Sequence, residues 1–433
     1  MIDNKYPLIK PELTIHFFGD VSVITDKAGM QYKFDKTQSE VLYLCNGDNT
    51  VSDIINKLIK IYFCPNELVE NVATVVCDFV ESFVKKNILF LSNNKTYCSN
   101  RFGERFKFYP VQLSVELTNK CNFFCEHCYK NAYTKGEDIQ PETMYKIYDI
   151  FNHKTEQIQF TGGEPFVNKN IEEYINLFSK AFKIRIATNG SLLHQVDSNI
   201  IKLLNFVQFS LYGCSSSEYF DFTKNEYGWD NLFQSVRKVS DANVDYIISV
   251  VLNQKNIHSL EDYVKAAIEL NATKIKFSIP SLVGRALSDY EENKKFILTQ
   301  EEMKYAYRET RRLKEKYNNK ISVVVWSHRA GKTSIPFFTE EKFKGLLPCG
   351  AGFSSYVISQ NGQIRPCEFF PEDLFNYGGI ECAHKIINGD FYKEKLLNGV
   401  ETFNGLLCEC GAQLNNICTP LQLVYDNLID IKQ

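Results

Sequence analysis

The stretch that decides the fold is "QLSVELTNKCNFFCEHC" at residues 112–128, in which a strand-like segment runs directly into three cysteines. Residues 112–117 alternate polar and apolar side chains, as a half-buried β-strand does. Cys121, Cys125 and Cys128 then follow with the spacing C-x3-C-x2-C. Because the active sites of parallel sheets lie at the carboxyl ends of the strands, the position of these thiols predicts a functional site there.

The sequence beyond the cysteines alternates between strand-like and helix-like patterns. Five further strands are predicted, at 156–161, 183–188, 206–212, 244–252 and 274–279. Helical patterns lie between them, and this alternation predicts an α/β fold built on a parallel sheet. Six strands are fewer than the eight of a closed barrel, so we predict a partial (β/α)6 barrel similar to a TIM barrel.

Composition excludes several classes of protein. The 433 residues carry a net charge of only −3, which gives no reason to expect nucleic acid or an anionic membrane as partner. No apolar run approaches the ~20 residues that cross a bilayer, and the opening residues do not resemble a signal peptide. We therefore expect a cytoplasmic protein. In that reducing compartment, clustered thiols among the fourteen cysteines indicate metal binding or catalysis rather than disulfides.

Three clustered thiols are the number expected of an open metal site, because closed zinc sites use four protein ligands. The spacing C-x3-C-x2-C does not fit the paired C-x2-C motifs of zinc ribbons. It fits an iron–sulfur cluster in which three irons have cysteine ligands and the fourth is free. A zinc site or buried thiols are the alternatives.

The cysteine motif resembles the signature of radical S-adenosylmethionine (SAM) enzymes. The resemblance implies a [4Fe-4S] cluster on Cys121, Cys125 and Cys128 whose free iron chelates SAM. It also implies reductive cleavage of SAM to a 5′-deoxyadenosyl radical, with an electron donor such as flavodoxin or ferredoxin as partner. His127 stands where the family usually has an aromatic residue, and it is implied to pack against the adenine.

Further motifs carry the same resemblance. "TGGEP" at 161–165 is similar to the family's GGE motif, so Gly162, Gly163 and Glu164 are implied to hold the methionine amino group of SAM. Other residues are implied to contact SAM by their place in "ATNG", "FSLYG" and "GRA", namely Thr188, Asn189, Ser210 and Arg285. Arg285 would meet the methionine carboxylate. Ordinary turns, caps and a surface charge are the alternatives for these residues.

Six cysteines crowd the end of the chain. The first two, with Gly362 between them, form C-x12-G-x4-C, which resembles the opening of a SPASM domain. That resemblance implies one or two auxiliary [4Fe-4S] clusters. The implied ligands are Cys349, Cys367, Cys382, Cys408, Cys410 and Cys418. The spacing of the last three departs from the usual SPASM continuation, and six cysteines are too few for two fully ligated clusters. A structural thiol is the alternative for Cys382.

The front of the chain resembles the recognition element of enzymes that mature ribosomally synthesised peptides, a winged-helix fold typified by the PqqD peptide chaperone. The resemblance rests on "YKFDKTQSEVLYLCNGDNTVSDIINKL" at 32–58. It implies that a leader peptide binds as an added strand, with residues 13–34 as the sheet edge and a helix at 65–86 as the other wall. A DNA-binding winged helix is the alternative, but the predicted wall helix is acidic.

These patterns predict three domains, a PqqD-like domain at 1–100, a radical SAM partial barrel at 101–320 and a SPASM-like domain at 321–433. The resemblance implies that a ribosomally made precursor peptide is modified by hydrogen abstraction and crosslinking. Thioether formation of the sactipeptide or ranthipeptide type is the first choice. Carbon–carbon or carbon–oxygen crosslinking and a sulfatase-maturase-like activity are alternatives, and an iron–sulfur peptide-binding chaperone is the non-enzyme alternative.

Overall fold

The computed structural model describes residues 2–27, 30–278, 284–285, 298–326, 355–368 and 377–389. The strands in these ranges are β1 (Tyr6–Ile9), β2 (Thr14–Gly19), β3 (Val21–Thr25), β4 (Gln31–Phe34), β5 (Leu89–Ser92), β6 (Arg101–Arg105), β7 (Gln112–Glu116), β8 (Gln157–Thr161), β9 (Lys183–Thr188), β10 (Leu204–Ser210), β11 (Asp245–Val251), β12 (Lys274–Ser278), β13 (Ser322–Trp326), β14 (Ser355–Ile358) and β15 (Ile364–Arg365). The α-helices are α1 (Lys36–Leu44), α2 (Val51–Ile61), α3 (Val69–Lys85), α4 (Pro141–Phe151), α5 (Ile171–Phe178), α6 (Ser198–Ile201), α7 (Ser216–Thr223), α8 (Gly228–Asp241), α9 (Leu260–Glu269), α10 (Gln300–Lys316) and α11 (Ala383–Ile387).

The central sheet contains nine strands of the described chain in the order β13-β12-β11-β10-β9-β8-β7-β14-β15. All neighbouring pairs are parallel except β14 and β15, which form an antiparallel hairpin. The six strands predicted from the sequence are β7 to β12, so the α/β fold with a parallel sheet is confirmed. The sheet continues beyond them on both sides, through β13 at one end and through the β14–β15 hairpin next to β7.

Each strand of the central sheet has one face against helices and one face toward the interior of the partial barrel. In β9, Ile184 and Ile186 are fully buried in the main hydrophobic core, while Arg185 and Ala187 between them are only partly buried. This alternation follows from the two-residue period of a strand. The outward face stabilises the barrel, and the inward face is free to carry polar side chains.

The N-terminal part of the chain combines helices α1 to α3 with a four-stranded sheet of order β4-β3-β2-β6. Capping boxes start the first two helices, with Asp35 and Gln38 at α1 and Thr50 with Asp53 at α2. These reciprocal bonds satisfy backbone N–H groups that a helix start leaves without partners. Strand β6 pairs with β2 although it follows residue 100, so the N-terminal sheet extends beyond the predicted domain boundary.

The β2–β3 hairpin packs against two cores at once. Its one face contributes Ile15, Phe17 and Ile24 to the core under the N-terminal helices. Its other face contributes three residues to the core of the central sheet, namely Phe18, Val21 and Val23. A buried pair of His16 and Glu156, 2.7 Å apart, joins the same face to the start of β8. The hairpin therefore docks the N-terminal sheet on the amino-terminal side of the barrel strands. None of the described helices has the length and apolar character needed to cross a membrane.

Candidate active site

The three cysteines lie on a loop between β7 and α4, at the carboxyl edge of the central sheet. Backbone N–H groups of the loop point at the thiols. The N–H of Phe123 donates to Sγ of Cys121 at 3.4 Å, and the N–H of Ala132 donates to Sγ of Cys128 at 3.5 Å. Such bonds stabilise a thiolate more than a thiol. The loop thus gives two of its three thiols a hydrogen bond that favours the ionised form, as sulfur ligands require.

The thiols are close enough to influence one another. Burial raises the pKa of Cys121 to about 12, with further contributions from Glu164 and Cys128. Burial also raises the pKa of Cys125 well above its usual value, and the neighbouring Arg285 opposes this shift. Thiols in such a site need a bound cation to ionise, and a metal centre supplies that charge.

Among the described residues, no three His, Cys, Asp or Glu side chains converge on a point where a single metal ion would bind. A four-iron cluster does not require that convergence, because each thiolate binds a different iron. The donor set, the N–H groups aimed at sulfur and the mutual influence of the thiols therefore fit a [4Fe-4S] cluster better than a zinc ion.

The two glycines of the TGGEP segment bring it against the backbone that precedes the cysteines. Gly162 has a φ of +135°, and a Cβ there would lie 2.2 Å from the carbonyl oxygen of Thr118. A Cβ on Gly163 would lie 2.1 Å from the carbonyl oxygen of Lys120. The chains approach this closely because the N–H of Glu164 donates to that same carbonyl at 2.9 Å. The glycines thus set the distance between the glutamate and the cysteine loop.

Glu164 is completely buried beside the loop. Its carboxylate accepts hydrogen bonds from the hydroxyl of Thr188 at 2.7 Å, the N–H of Asn189 at 2.8 Å and the N–H of Phe166 at 3.2 Å. Burial raises the pKa of Glu164 to about 7 against the opposing effect of these donors. A buried carboxylate with a raised pKa is suited to pairing with a cation from a ligand.

Two further predicted residues lie at the same edge. The side-chain amide of Asn189 donates to the side chain of Asn122 at 3.0 Å and to Sγ of Cys121 at 3.9 Å. Ser210 is the last residue of β10 and interacts with the hydroxyl of Tyr212. The structure therefore brings Glu164, Thr188 and Asn189 into one hydrogen-bonded group with the cysteine loop, with Ser210 on the neighbouring strand end. Their contacts to SAM stay predictions.

His127 packs in an aromatic cluster that the sequence analysis did not identify. Its ring lies 4.8 Å from that of Phe222 and 5.8 Å from that of Tyr212, centroid to centroid. Burial and the nearby Arg285 lower the pKa of His127 to about 4, so the imidazole is neutral at physiological pH. Tyr212 belongs to the quoted "FSLYG" segment and also interacts with Cys125. The aromatic side chain two residues after Ser210 was the available signal for this cluster.

Arg285 lies under the cysteine loop. Its guanidinium donates to the carbonyl oxygen of Cys125 at 2.6 Å and to that of Ala132. It stacks on Phe124 at 3.9 Å and on Tyr133 at 4.8 Å. The residue is 4% exposed, which argues against the alternative of a surface charge. These contacts give Arg285 a positioning role for the loop, and the predicted contact to the methionine carboxylate stays a prediction.

The C-terminal segment joins the same region through a buried polar group. Glu116, at the end of β7, accepts hydrogen bonds from Lys130 and, at 2.7 Å, from Arg365 on β15. The hydroxyl of Tyr129 donates to Glu368 at 3.2 Å. Because these residues adjoin Cys128 and the predicted ligand Cys367, the hairpin is tied directly to the cysteine loop.

The described residues include two of the six predicted auxiliary ligands. Cys367 follows β15, and Cys382 ends a short 3-10 helix at Ile380–Cys382. Gly362 has a φ of +78° and forms the turn of the β14–β15 hairpin, as its place in the motif requires. The other four predicted ligands lie outside the described residues, namely Cys349, Cys408, Cys410 and Cys418. Auxiliary cluster binding stays a prediction.

Comparison with known proteins agrees with this geometry. Residues 115–267 match the model of the radical SAM superfamily. The chain is 23% identical over 406 residues to the antilisterial bacteriocin subtilosin biosynthesis protein AlbA of Bacillus subtilis, covering 88% of this chain and 83% of that protein. It is 22% identical over 277 residues to the sporulation killing factor maturation protein SkfB of the same species, covering 63% of each.

The fold also has a solved counterpart. The structure of Streptococcus suis SuiB bound to its precursor peptide SuiA aligns with a TM-score of 0.64 over 91% of this chain and 90% of that chain, at 14% identity. At that level of identity the similarity supports the fold alone. The match of residues 115–267 to the radical SAM superfamily model therefore agrees with the parallel sheet and with the cysteine loop at its carboxyl edge.

Proposed function

We propose that this chain is a radical SAM enzyme that modifies a ribosomally synthesised precursor peptide by hydrogen-atom abstraction and crosslinking. The observation that carries the proposal is the C-x3-C-x2-C loop, held at the carboxyl edge of the sheet beside the buried Glu164. AlbA and SkfB, which are named for subtilosin biosynthesis and for maturation of sporulation killing factor, support a peptide as substrate. SuiB is solved with a precursor peptide, which agrees with the same class.

When bound, the cluster and SAM supply the one-electron chemistry that removes a hydrogen atom from the peptide. The chain's own residues hold and orient these groups. Cys121, Cys125 and Cys128 would be the cluster ligands, and Glu164 would pair with the ammonium of SAM. Arg285 holds the loop in shape from below. The partly buried rings of Tyr212 and Phe222 pack against His127 next to the loop.

The N-terminal sheet offers one place for a leader peptide. Among the described strands, the order β4-β3-β2-β6 leaves β4 and β6 as the two edges of this sheet. Of these, β4 is the edge next to the helices. Tyr32 of β4 is 44% exposed, and Phe34 packs on Phe83 of α3 with ring centroids 5.4 Å apart. We infer that a leader adds as a strand beside β4, with α3 as the other wall. Such an arrangement corresponds to a PqqD-like winged helix.

The finer chemistry is part of the same proposal. We expect thioether formation from a peptide cysteine, with carbon–carbon or carbon–oxygen crosslinking as the second candidate. One or two auxiliary clusters in a SPASM-like C-terminal domain would accept the surplus electron, and flavodoxin or ferredoxin would supply the electron that starts the reaction. The similarity to AlbA, which is named for the biosynthesis of a bacteriocin, extends over 88% of this chain and supports a peptide product.

The test is anaerobic reduction of the reconstituted protein with SAM. The wild-type protein is expected to release 5′-deoxyadenosine, and the variant Cys121→Ala/Cys125→Ala/Cys128→Ala is expected to release none. Cys214→Ala is the matched control, because Cys214 follows β10 near the same edge without belonging to the motif. Release by the triple variant would refute the proposal, and absence of release from fully reconstituted wild-type protein would favour a peptide-binding chaperone.

A further inference from the structure

Arg185 stands inside the partial barrel, below the site described above. It lies on β9 opposite Gln159 on β8 and Phe206 on β10. The residues on either side of it, Ile184 and Ile186, are buried in the core under the helices, so the side chain of Arg185 points the other way, into the interior. Its guanidinium carbon lies 4.1 Å from the centre of the Phe206 ring, which fixes the plane of the group.

This guanidinium has no counterion in the part of the chain that the structure describes. No carboxylate there lies within ion-pair distance of Arg185, and its buried Nε finds no hydrogen-bond acceptor. Burial lowers the pKa of Arg185, with no acidic neighbour acting against it. Arg185 is only partly buried, but even partial removal of a cation from water without a partner is costly, so such a group is usually paired or waits for a ligand.

Other buried or half-buried arginines of the chain show what a satisfied guanidinium looks like here. Arg105 pairs with Glu40, and Arg365 pairs with Glu116 at 2.7 Å. Arg101 donates to three backbone carbonyls at the end of α1. Arg185 differs from these three because it faces the barrel interior and has no such partner among the described residues.

A second cation lies on the same face of the sheet. Lys276 on β12 also lies on the inward face, and burial lowers its pKa, with Glu368 acting against this and Arg185 adding to it. Glu116 does not balance Arg185, because it already pairs with Lys130 and Arg365. Among the described residues, Arg185 is therefore not balanced by a carboxylate.

We propose that Arg185 anchors an anion subsite inside the barrel, which binds a carboxylate of the peptide substrate. This inference rests on the proposed function and specifies its substrate class. Arg185 precedes the strand end at Thr188 by three residues, or about 10 Å at the rise of a parallel strand. An extended peptide covers that distance in about three residues, so the bound carboxylate lies about three residues from the modified position. The carboxylate belongs either to an acidic side chain or to the C-terminus of the peptide.

Binding without turnover tests the subsite directly. The holoenzyme is incubated, without reductant, with randomised synthetic peptide pools that end in either a free carboxylate or an amide, and the retained peptides are sequenced by mass spectrometry. Enrichment of Asp and Glu identifies a side chain as the source, and enrichment of the free-acid pool identifies the C-terminus. The enrichment is expected to be at least tenfold lower with Arg185→Gln than with the wild-type protein. Arg185→Lys is expected to recover part of it.

Arg311→Gln is the matched control, because it removes the same charge from the exposed face of α10. Equal retention of acidic and neutral peptides by the wild-type protein, or unchanged enrichment in Arg185→Gln, overturns the inference. The same preparations are assayed for 5′-deoxyadenosine release. If release is absent while selective retention persists, the proposed function fails and the subsite stands.

Thermal unfolding provides a second test that needs no peptide. If Arg185 waits for a ligand, Arg185→Met removes an uncompensated cation, and the Tm of the ligand-free protein is expected to stay the same or rise. Arg105→Met, which breaks the buried pair with Glu40, is expected to lower the Tm. A fall in Arg185→Met as large as that in Arg105→Met would mean that a carboxylate of this chain already pairs with Arg185, and it would overturn the proposal.

Discussion

Replacing Arg285 by methionine distinguishes a residue that positions the cysteine loop from a residue that binds SAM. The guanidinium donates to the carbonyl oxygens of Cys125 and Ala132 and is almost completely buried. Hydrogen bonds from a charged group contribute about 1.5–3 kcal/mol each, so the loss of both costs about 3–6 kcal/mol of local stability. At about 1.4 kcal/mol per factor of ten, the equilibrium constant for forming the correctly folded loop falls a hundredfold or more.

The assay is the iron and sulfide content after anaerobic reconstitution, followed by SAM affinity from equilibrium dialysis. We expect Arg285→Met to lose most of its cluster iron and, as a consequence, its affinity for SAM. Arg101→Met is the matched control, because Arg101 is also buried, donates to backbone carbonyls and stacks on Phe17 at 4.9 Å, but in the N-terminal sheet. That variant is expected to unfold at a lower temperature with its iron content intact.

A full complement of iron in Arg285→Met, combined with lost SAM affinity, would refute this reasoning. It would mean that the loop keeps its shape without the guanidinium. The arginine would then act on the cofactor itself, as the resemblance of "GRA" to the family element implies.

Two pH dependences follow from the buried carboxylates. The pKa of Glu164 is raised to about 7, so SAM affinity is expected to be full above that pH and to fall about tenfold per unit between pH 7 and 5, as the carboxylate that pairs with the ammonium is protonated. Equilibrium dialysis of Glu164→Gln should give weak binding with no such slope; an unchanged slope would exclude Glu164 as its cause. For Glu156, burial acts to raise the pKa, but hydrogen bonds from His16 and Lys183 lower it to about 2 from its usual 4.5. Because the pKa of Glu156 is depressed in the folded state, its interactions with His16 and Lys183 contribute about 3 kcal/mol to the free energy of unfolding. This contribution is present above pH 4.5 and is lost as the pH falls toward 2. Urea unfolding at a series of pH values should show this loss in the wild-type protein and not in Glu156→Gln. Equal acid sensitivity of the two proteins would contradict this assignment.

Local patterns predicted the parts of this protein that depend on local physics. The alternation of apolar residues predicted β7 to β12, because each strand buries one face against helices whatever its neighbours are. The capping box of Thr50 and Asp53 that starts α2 is equally local, because its residues are only three apart in the chain. The sheet-edge position of the cysteine loop was also predictable from local sequence, because Cys121, Cys125 and Cys128 directly follow the first predicted strand.

Pairings between distant segments were decided only in the folded chain. The sequence by itself determined that Arg285 carries a charge near the end of the barrel segment, but only the tertiary structure brought it under Cys125, 160 residues away. The same holds for β14, whose pairing with β7 joins the C-terminal hairpin to the barrel, and for β6, which joins the N-terminal sheet. A strand's own residues specify which face is buried, whereas its neighbour depends on which edges the rest of the chain leaves open. The absence of a carboxylate beside Arg185 among the described residues is a property of this packing, which no local pattern encodes.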